Sequence, residues 1–212
     1  MASKPDIAKF NLMLITDRHR SRGRDNFTVI HDALEGGVRL FQLREPDVTS
    51  DEIQETASLV LPEIRSAEGI LIINDHIDVC LMTDADGVHL GANDLPIPDA
   101  RKMLGEDKLI GFSAHTREQA IHAVSDGADY LTLSPAFSLK HKESQFPPYS
   151  PDELWAIADE VGISTFFLGG INSGNVTSLK KYDKNLKIAV VSAITEAEEI
   201  KGASANMLDG IR

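Results

Sequence analysis

The sequence predicts a (β/α)₈ barrel, the TIM-barrel class of α/β proteins, and two observations favour it. Short apolar runs bounded by turn residues recur along the chain, as is typical of strands buried on both faces of a parallel sheet. An amphipathic stretch follows each run, and this alternation repeats eight times without a linker or a low-complexity tract. Residues 1–212 are therefore predicted to form one barrel domain with a polar extension at residues 1–9, and an open doubly wound sheet is the structural alternative.

Each predicted strand is an apolar run that ends at polar residues or at glycine. In chain order these runs are Asn11–Thr16, Val38–Leu43, Ile70–Ile73, Val88–Leu90, Leu109–Ser113, Tyr130–Leu133, Thr165–Leu168 and Ile188–Val191. Helices are predicted between a capping residue and a stop, as where Asp25 precedes the first helix and Gly36 follows it. The later helices are predicted from Thr49 or Ser50 onward, within residues 77–86, 98–104, 116–125, 152–161 and 175–182, and from Glu196 to the end.

The composition is that of a soluble globular protein, with 42% hydrophobic and 25% charged residues. No apolar run approaches the length of a membrane span, so no membrane partner is expected. The net charge of −12 argues against nucleic acid as a partner, and an anionic substrate needs a local basic pocket to overcome this field. The single cysteine, Cys80, excludes an internal disulfide framework and fits a reducing cytoplasm.

Two carboxylates follow neighbouring predicted strands at the point where each strand ends. Ile70–Ile73 runs into Asn74 and Asp75, and Val88–Leu90 is followed shortly by Asp94. Because parallel strands bring their C-terminal ends to one edge, these oxygen atoms are expected around a common space. Such a set suits Mg²⁺, especially when substrate phosphates complete its coordination. The plainer interpretation is that these are turn and helix-capping residues.

Glycine and serine follow the last two predicted strands, where barrels frequently bind phosphate through backbone N–H groups. Gly169-Gly170-Ile171 follows the seventh strand, and Val191-Ser192-Ala193 closes the eighth. A glycine pair lets the backbone approach an anion closely, and the serine hydroxyl adds a donor. A simple strand-to-helix turn is the alternative, but the combination favours a phosphate site.

The connection after the sixth strand, residues 134–150, is long for a compact barrel and carries Lys140, His141 and Lys142. A loop of this length is more often a lid than a spacer, and its lysines are expected to close over a second anion that faces Arg44. Otherwise they are solvated surface charges. Two anion sites, one of them metal-assisted, suit an enzyme that joins a diphosphate-bearing electrophile to a phosphate-bearing nucleophile.

These residues resemble the motifs of the thiamine phosphate synthase / thiazole tautomerase family. The matching stretches cover nearly the whole chain and are Gln-Leu-Arg-Glu (42–45), Ile-Ile-Asn-Asp (72–75), Asp-Gly-Val-His-Leu-Gly (86–91) with Asp94, Ser-Ala-His-Thr (113–116), Gly-Gly-Ile (169–171) and Val-Val-Ser-Ala-Ile (190–194). The family is a (β/α)₈ barrel. Its synthase members couple hydroxymethylpyrimidine diphosphate with thiazole phosphate, which releases pyrophosphate and forms thiamine phosphate. The resemblance therefore implies a Mg²⁺-dependent transferase of thiamine biosynthesis.

The resemblance also implies a role for individual residues. Asp75 and Asp94 would hold Mg²⁺. The catalytic contacts to the departing pyrophosphate would come from Arg44, Ser113 and Lys142, and Asn74 would also bind it. The pyrimidine would contact Gln42 and His89. The thiazole phosphate would be bound by Gly170, Val191 and Ser192. The implied mechanism is dissociative: pyrophosphate leaves first, the aminopyrimidine stabilises a carbocation, and the thiazole nitrogen captures it.

The chain departs from the family pattern at a few positions. Pro46 stands where synthases usually carry a lysine. Lys140 or the basic run Arg18–Arg24 would supply the missing positive charge. Ala92 stands where a glutamine is common. Pro135 occupies the position of a histidine typical of the tautomerase branch, which favours the synthase. The alternatives are a thiazole phosphate tautomerase-like isomerase and a non-catalytic barrel that binds a phosphate ligand. A homodimer is a family expectation.

Overall fold

A parallel sheet closes on itself in the computed structural model, which describes residues 4–138, 145–181 and 184–212. The strands pair in chain order, and the last one returns to the first through the register Leu12↔Ile188. They are β1 (Leu12–Ile15), β2 (Leu40–Leu43), β3 (Ile70–Asn74), β4 (Gly87–Leu90), β5 (Leu109–Ala114), β6 (Tyr130–Leu133), β7 (Ser164–Leu168) and β8 (Ile188–Val190). The predicted (β/α)₈ barrel is confirmed, and the open doubly wound alternative is wrong.

Helices connect the strands and cover the outside of the barrel. They are α1 (Asn26–Glu35), α2 (Ser50–Ser66), α3 (Ile77–Thr83), α4 (Ile97–Leu104), α5 (Arg117–Ser125), α6 (Pro151–Val161), α7 (Ser192–Thr195) and α8 (Ile200–Ile211). Side-chain caps begin several of them: Asp25 accepts the N–H of Thr28, and Thr49 and Glu52 form reciprocal hydrogen bonds at the start of α2. Within the described ranges, no helix is long and apolar enough to cross a membrane.

The hydrophobic core has two parts, separated by the wall of the barrel. The larger part lies between the strands and the helices. The smaller part fills the barrel interior and includes Met13, Leu40, Ile70, Leu109, Tyr130, Phe166 and Ala189. Because side chains alternate along a strand, the polar residues Gln42 and Thr132 face the same interior as Leu40 and Tyr130, two positions nearer the C-terminal ends. The barrel is therefore apolar below and becomes polar toward one mouth.

The N-terminal segment closes the lower end of the barrel. A single 3₁₀ turn, Ile7–Lys9, places the side chain of Ile7 in the interior cluster. Lys187 Nζ donates to the carbonyl oxygens of Ala8 at 2.6 Å and Phe10 at 2.9 Å, and burial lowers the pKa of this lysine. Part of the extension predicted as polar is thus packed against the barrel.

Two helices differ from the prediction. The last helix, expected from Glu196, begins at Ile200, because Glu199 caps it by accepting the N–H of Gly202. The stretch expected to be helical over residues 175–182 forms only a 3₁₀ turn, Val176–Leu179, and residue 182 lies outside the described part of the chain. The indole Nε1 of Trp155 donates to the carbonyl oxygen of Leu179 at 2.7 Å, so that oxygen is already occupied where a longer helix would use it.

Gly111 provides the room that Tyr130 occupies inside the barrel. A Cβ added at Gly111 would lie 2.1 Å from Cζ of Tyr130, far inside van der Waals contact. We expect Gly111→Ala to lower the free energy of unfolding by about 1–3 kcal/mol, the usual cost of overpacking a core, as measured by chemical denaturation. In a Tyr130→Leu background the same substitution should cost much less. An equal cost in both backgrounds would show that the tyrosine ring is not the cause.

Candidate active site

Two carboxylates meet where β3 and β4 end. These strands are neighbours in the register Asn74↔His89, and the backbone N–H of Asp75 donates to the carbonyl oxygen of His89 at 3.0 Å. Asp94 folds back over its own loop, where its Oδ2 accepts the N–H of Gly91 at 2.6 Å. The Asp94 carboxyl group lies close enough to that of Asp75 to raise the pKa of Asp75. The structure therefore brings together the two residues predicted to hold a metal ion.

The proximity of the Asp94 carboxyl group raises the pKa of Asp75. Partial burial of the Asp75 carboxyl group and the adjacent, negatively charged carboxyl group of Asp94 raise the pKa of Asp75 to about 7, while Arg44 opposes this shift. A divalent cation would remove the repulsion, and two carboxylates with the Asn74 amide oxygen form a donor set that fits Mg²⁺. Among the described residues no group of three or more His, Cys, Asp or Glu side chains forms a metal site. A cation here would depend on substrate oxygens as well.

Arg44 stands beside the carboxylates at the end of β2. Its side chain is 40% exposed, and Nη1 lies 4.0 Å from Oδ2 of Asp17. Its backbone N–H donates to Thr16 Oγ1 at 3.0 Å, and that hydroxyl donates to the Glu45 carboxylate at 2.9 Å. Glu45 is buried and also accepts Asn26 Nδ2 at 2.8 Å. A buried network thus fixes the backbone of Arg44 while its guanidinium group stays accessible.

His89 is buried in the barrel between two hydroxyl groups. Its Nδ1 lies 3.0 Å from the oxygen of Tyr130, and its Nε2 lies 2.9 Å from Oγ of Ser113. Burial lowers the pKa of His89 to about 3 and raises that of Tyr130 well above its ordinary value, so both groups are neutral near pH 7. A neutral imidazole carries one N–H. When Tyr130 donates to Nδ1, Nε2 therefore donates to Ser113, and the serine proton turns toward other acceptors.

Gln42 shares this interior space. Its side chain is 2% exposed, and its amide group lies near the Tyr130 hydroxyl group without forming a hydrogen bond to it. The Nε2 atom of Gln42 is buried and has no hydrogen-bond partner within the described ranges. Because a buried amide without a partner costs free energy, this atom is suited to a ligand acceptor. Gln42 and His89 thus present polar atoms next to the same tyrosine.

The loops after β7 and β8 lie side by side because these strands are paired. Gly170 has a φ of +67°, and a Cβ there would lie 2.8 Å from the carbonyl oxygen of Ser138, so only glycine fits. Asn175 Nδ2 holds the carbonyl oxygen of Gly170 at 2.9 Å. In the other loop, Val191 leads directly into α7, which begins at Ser192. The two loops predicted to bind phosphate are adjacent.

Two arginines of the basic run after β1 are bound to the protein itself. Arg24 Nη2 donates to the carbonyl oxygens of Thr195 at 2.8 Å and Ala197 at 2.7 Å. Arg20 Nη1 lies 3.0 Å from Oε1 of Glu196. These arginines join the loop after β1 to the segment after α7. They are therefore engaged, rather than free to replace the lysine missing after β2.

Some site residues fall outside the structure or outside the prediction. Lys140 and Lys142 lie outside the described residues, so their contacts stay a prediction. Tyr130 and Glu45 were not predicted as site residues. Tyr130 is a polar-tipped side chain in an apolar run, and its inward register can be counted from the strand. That alternation is the signal that points to it.

The sequence of the chain matches the thiamine monophosphate synthase family over residues 12–194. The chain belongs to this family. A thiamine-phosphate synthase of Syntrophomonas wolfei is 38% identical over 198 residues, which are 93% of this chain and 94% of the relative. Another, of Chloroflexus aurantiacus, is 39% identical over 202 residues, with 95% and 92% covered. These names confirm the predicted family and its transferase branch.

Solved structures show the same relationship. Thiamine phosphate pyrophosphorylase from Pyrococcus furiosus has a TM-score of 0.86 and 30% sequence identity, with 96% of each chain covered. A 3-hexulose-6-phosphate synthase has a TM-score of 0.67 at 15% identity, with 96% of this chain and 100% of that chain covered. The second likeness is one of fold alone. Both agree with the barrel.

We expect His89 to stay neutral at moderately acidic pH. Its pKa is lowered from 6.5 to about 3 in the folded protein, so the unfolded chain takes up a proton first as the pH falls. The stability that this group contributes is present above about pH 6.5 and is lost toward pH 3, by about 1.4 kcal/mol per pH unit.

NMR titration of the imidazole nitrogens checks this expectation. His31 provides the comparison, because its hydrogen bond with Glu63 raises its pKa above 6.5. Between about pH 8 and pH 5, His31 should titrate and His89 should not. Protonation of His89 in that range would contradict the assignment of a buried, neutral ring.

Proposed function

We propose that this chain is a Mg²⁺-dependent thiamine phosphate synthase. It couples hydroxymethylpyrimidine diphosphate with thiazole phosphate and releases pyrophosphate. The observation that carries this proposal is the Asp75–Asp94 pair beside Arg44, at the C-terminal end of a barrel of this family. Two carboxylates and a guanidinium group suit a diphosphate and its cation. The names of the relatives support the same reaction.

The diphosphate is proposed to lie over the ends of β2 to β5. Asp75 and Asp94 would hold Mg²⁺, which would supply positive charge to the departing pyrophosphate. Arg44, Asn74 and Ser113 donate hydrogen bonds to the same anion. Lys142 is assigned to it by family resemblance alone. These donors stabilise the leaving group as its negative charge grows.

The pyrimidine is proposed to occupy the space next to Tyr130. The unpaired Nε2 of Gln42 supports this placement, because a ring nitrogen of the pyrimidine can accept its hydrogen. The low pKa of His89 supports it too. A neutral imidazole does not repel the positive charge that develops on the pyrimidine, whereas an imidazolium would.

The thiazole phosphate is proposed to lie over the ends of β7 and β8. The backbone of Gly170, whose φ of +67° favours glycine, is assigned to this phosphate by family resemblance. The backbone of Val191 and the hydroxyl group of Ser192 complete the site. The diphosphate and phosphate sites thus lie on different strands of one mouth, which lets the reacting atoms meet between them.

The bond changes need no protein nucleophile. The bond between the pyrimidine methylene carbon and the diphosphate oxygen breaks first, and its electron pair leaves with pyrophosphate. The aminopyrimidine stabilises the resulting carbocation. The lone pair of the thiazole nitrogen then forms the new C–N bond. Arg44 and Ser113 act in the first step, and the phosphate loops position the nucleophile for the second.

We also propose that the protein works in the cytoplasm as a homodimer. Cys80 is buried, and burial raises the pKa of its thiol to about 12, which suits a packing role in a reducing compartment. Leu59, Met82 and Met103 are exposed on three consecutive outer helices, α2, α3 and α4. The dimer itself follows from the family resemblance.

The carboxylate pair is tested by replacing either member. We expect Asp75→Asn or Asp94→Asn to reduce thiamine phosphate formation by about 100-fold or more, because each removes a charge that holds the cation. The purified protein is mixed with Mg²⁺ and both substrates, and thiamine phosphate and pyrophosphate are followed by chromatography.

Asp107→Asn is the matched control, because Asp107 is exposed just before β5, at the other end of the barrel. It should leave the rate unchanged. If the wild-type protein forms no product but is stabilised thermally by thiamine phosphate, the synthase proposal fails and a non-catalytic binding barrel replaces it.

The thiazole phosphate site is tested at Ser192. We expect Ser192→Ala to raise KM for thiazole phosphate about 10-fold, the cost of one hydrogen bond to a charged group, and to leave KM for the diphosphate unchanged. Steady-state kinetics with each substrate varied in turn measures both constants. Ser173→Ala, an exposed serine in the neighbouring loop, is the control. Equal changes for both substrates would place Ser192 elsewhere.

A further inference from the structure

We infer that Arg24 is a positioning residue for the thiazole phosphate site. Its guanidinium group holds the segment after α7 and thereby fixes Val191 and Ser192. The inference rests on the proposed function, because it concerns the same phosphate site. Arg24 belongs to none of the motifs that carry the family resemblance, and it lies after β1, at the other end of the chain from Ser192.

The Arg24 guanidinium group binds four backbone carbonyl oxygens. Nε donates to Ser21 at 2.9 Å, within its own loop. Nη2 donates to Thr195 at 2.8 Å and Ala197 at 2.7 Å, and Nη1 donates to Glu198 at 3.3 Å. Three of the four carbonyls thus belong to residues 195–198. The guanidinium group is planar and its donors point in fixed directions, so it holds this segment at several points in one orientation, which an ammonium group does not define.

The held segment is connected to Ser192 by a single helical turn. The N–H of Thr195 donates to the carbonyl oxygen of Val191 at 3.0 Å, and the N–H of Glu196 donates to that of Ser192 at 3.2 Å. Thr195 is fully buried. One turn is too short to be stable through its own hydrogen bonds. Its position therefore depends on what holds its C-terminal end, and a cation beside those carbonyls is electrostatically favourable there.

Two neighbouring arginines support the same segment less directly. Arg20 pairs with the Glu196 carboxylate at 3.0 Å, and Arg22 Nη1 lies 3.4 Å from the carbonyl oxygen of Glu196. The Arg22 side chain is mostly exposed, so its contacts contribute little. Arg24 is less exposed and makes the larger number of contacts to residues 195–198. It is the residue whose loss would release the segment.

A purely structural arginine would stabilise the fold without favouring either substrate. The two ligand sites separate these roles, because the proposed diphosphate site rests on β2 to β5 and the segment held by Arg24 follows β8. A positioning role predicts weaker binding of thiazole phosphate alone. A structural role predicts equal changes at both sites.

Isothermal titration calorimetry tests this without turnover. Thiazole phosphate is titrated into one sample, and inorganic pyrophosphate with Mg²⁺ into another. We expect Arg24→Ala to weaken thiazole phosphate binding by about 10-fold or more and pyrophosphate binding by less than about twofold. Arg24→Lys keeps the positive charge but not the planar group with its fixed donors. We expect this variant to lose affinity for thiazole phosphate only, and to lose less than Arg24→Ala does. It also serves as the test if the alanine variant does not fold.

Arg39→Ala is the matched control. Arg39 Nη1 donates to the carbonyl oxygens of Leu34 at 2.7 Å and Val38 at 2.8 Å, at the opposite end of the barrel. Its loss should lower thermal stability and leave both affinities unchanged. Wild-type affinity for thiazole phosphate in Arg24→Ala, or equal losses for both ligands in Arg24→Lys, would overturn the inference. A wild-type protein that binds pyrophosphate but no thiazole phosphate would instead refute the proposed site itself.

Discussion

The pairing of β8 with β1 is the contact on which the site depends. It closes the sheet through Leu12↔Ile188, Met13↔Ala189 and Leu14↔Val190. Closure directs the C-terminal ends of all the strands to one mouth, so that the carboxylates after β3 and β4 face the loops after β7 and β8 across it. It also brings the loop after β1 against the segment after α7, where the Arg24 guanidinium group bonds residues far away in the chain. In an open sheet the carboxylate pair would persist, but the two halves of the mouth would separate.

The strands could be predicted from the sequence because both of their faces are buried. The apolar run Ile70–Ile73 contains no polar residue, and the observed strand begins at the predicted residue and extends by one residue to Asn74. The final helix was harder to place. Apolar spacing continues through Glu196, but the carbonyl oxygens of residues 195–198 are bound by Arg24, and Glu199 begins a new helix. Contacts made by a distant loop leave no periodic signal in the residues they hold.

Some features of the candidate site could likewise be predicted from the sequence, and others could not. Asp75 and Asp94 could be predicted to meet because adjacent parallel strands end together, which is a property of the topology. The raised pKa of Asp75 could not be predicted, since it depends on side-chain distances and partial burial. Glu45 lies within a motif that pointed to its neighbours, yet its role as a buried acceptor for Thr16 and Asn26 becomes visible only in three dimensions. Sequence order thus reveals which strand ends are adjacent, and the structure reveals which side chains touch.

Because the lower end of the barrel is closed, ligands can reach the interior from one end only. Ile7 and the hydrogen bonds of Lys187 close the lower end, and the rings of Tyr130 and Phe166 meet edge to face above them with centroids 6.0 Å apart. Among the residues that the structure describes, an interior packed in this way leaves no route between the two ends of the barrel. Ligands therefore bind and leave through the same mouth, at the C-terminal ends of the strands. If the pyrimidine lies next to Tyr130 as proposed, it would have to bind before a ligand held nearer the rim and leave after it.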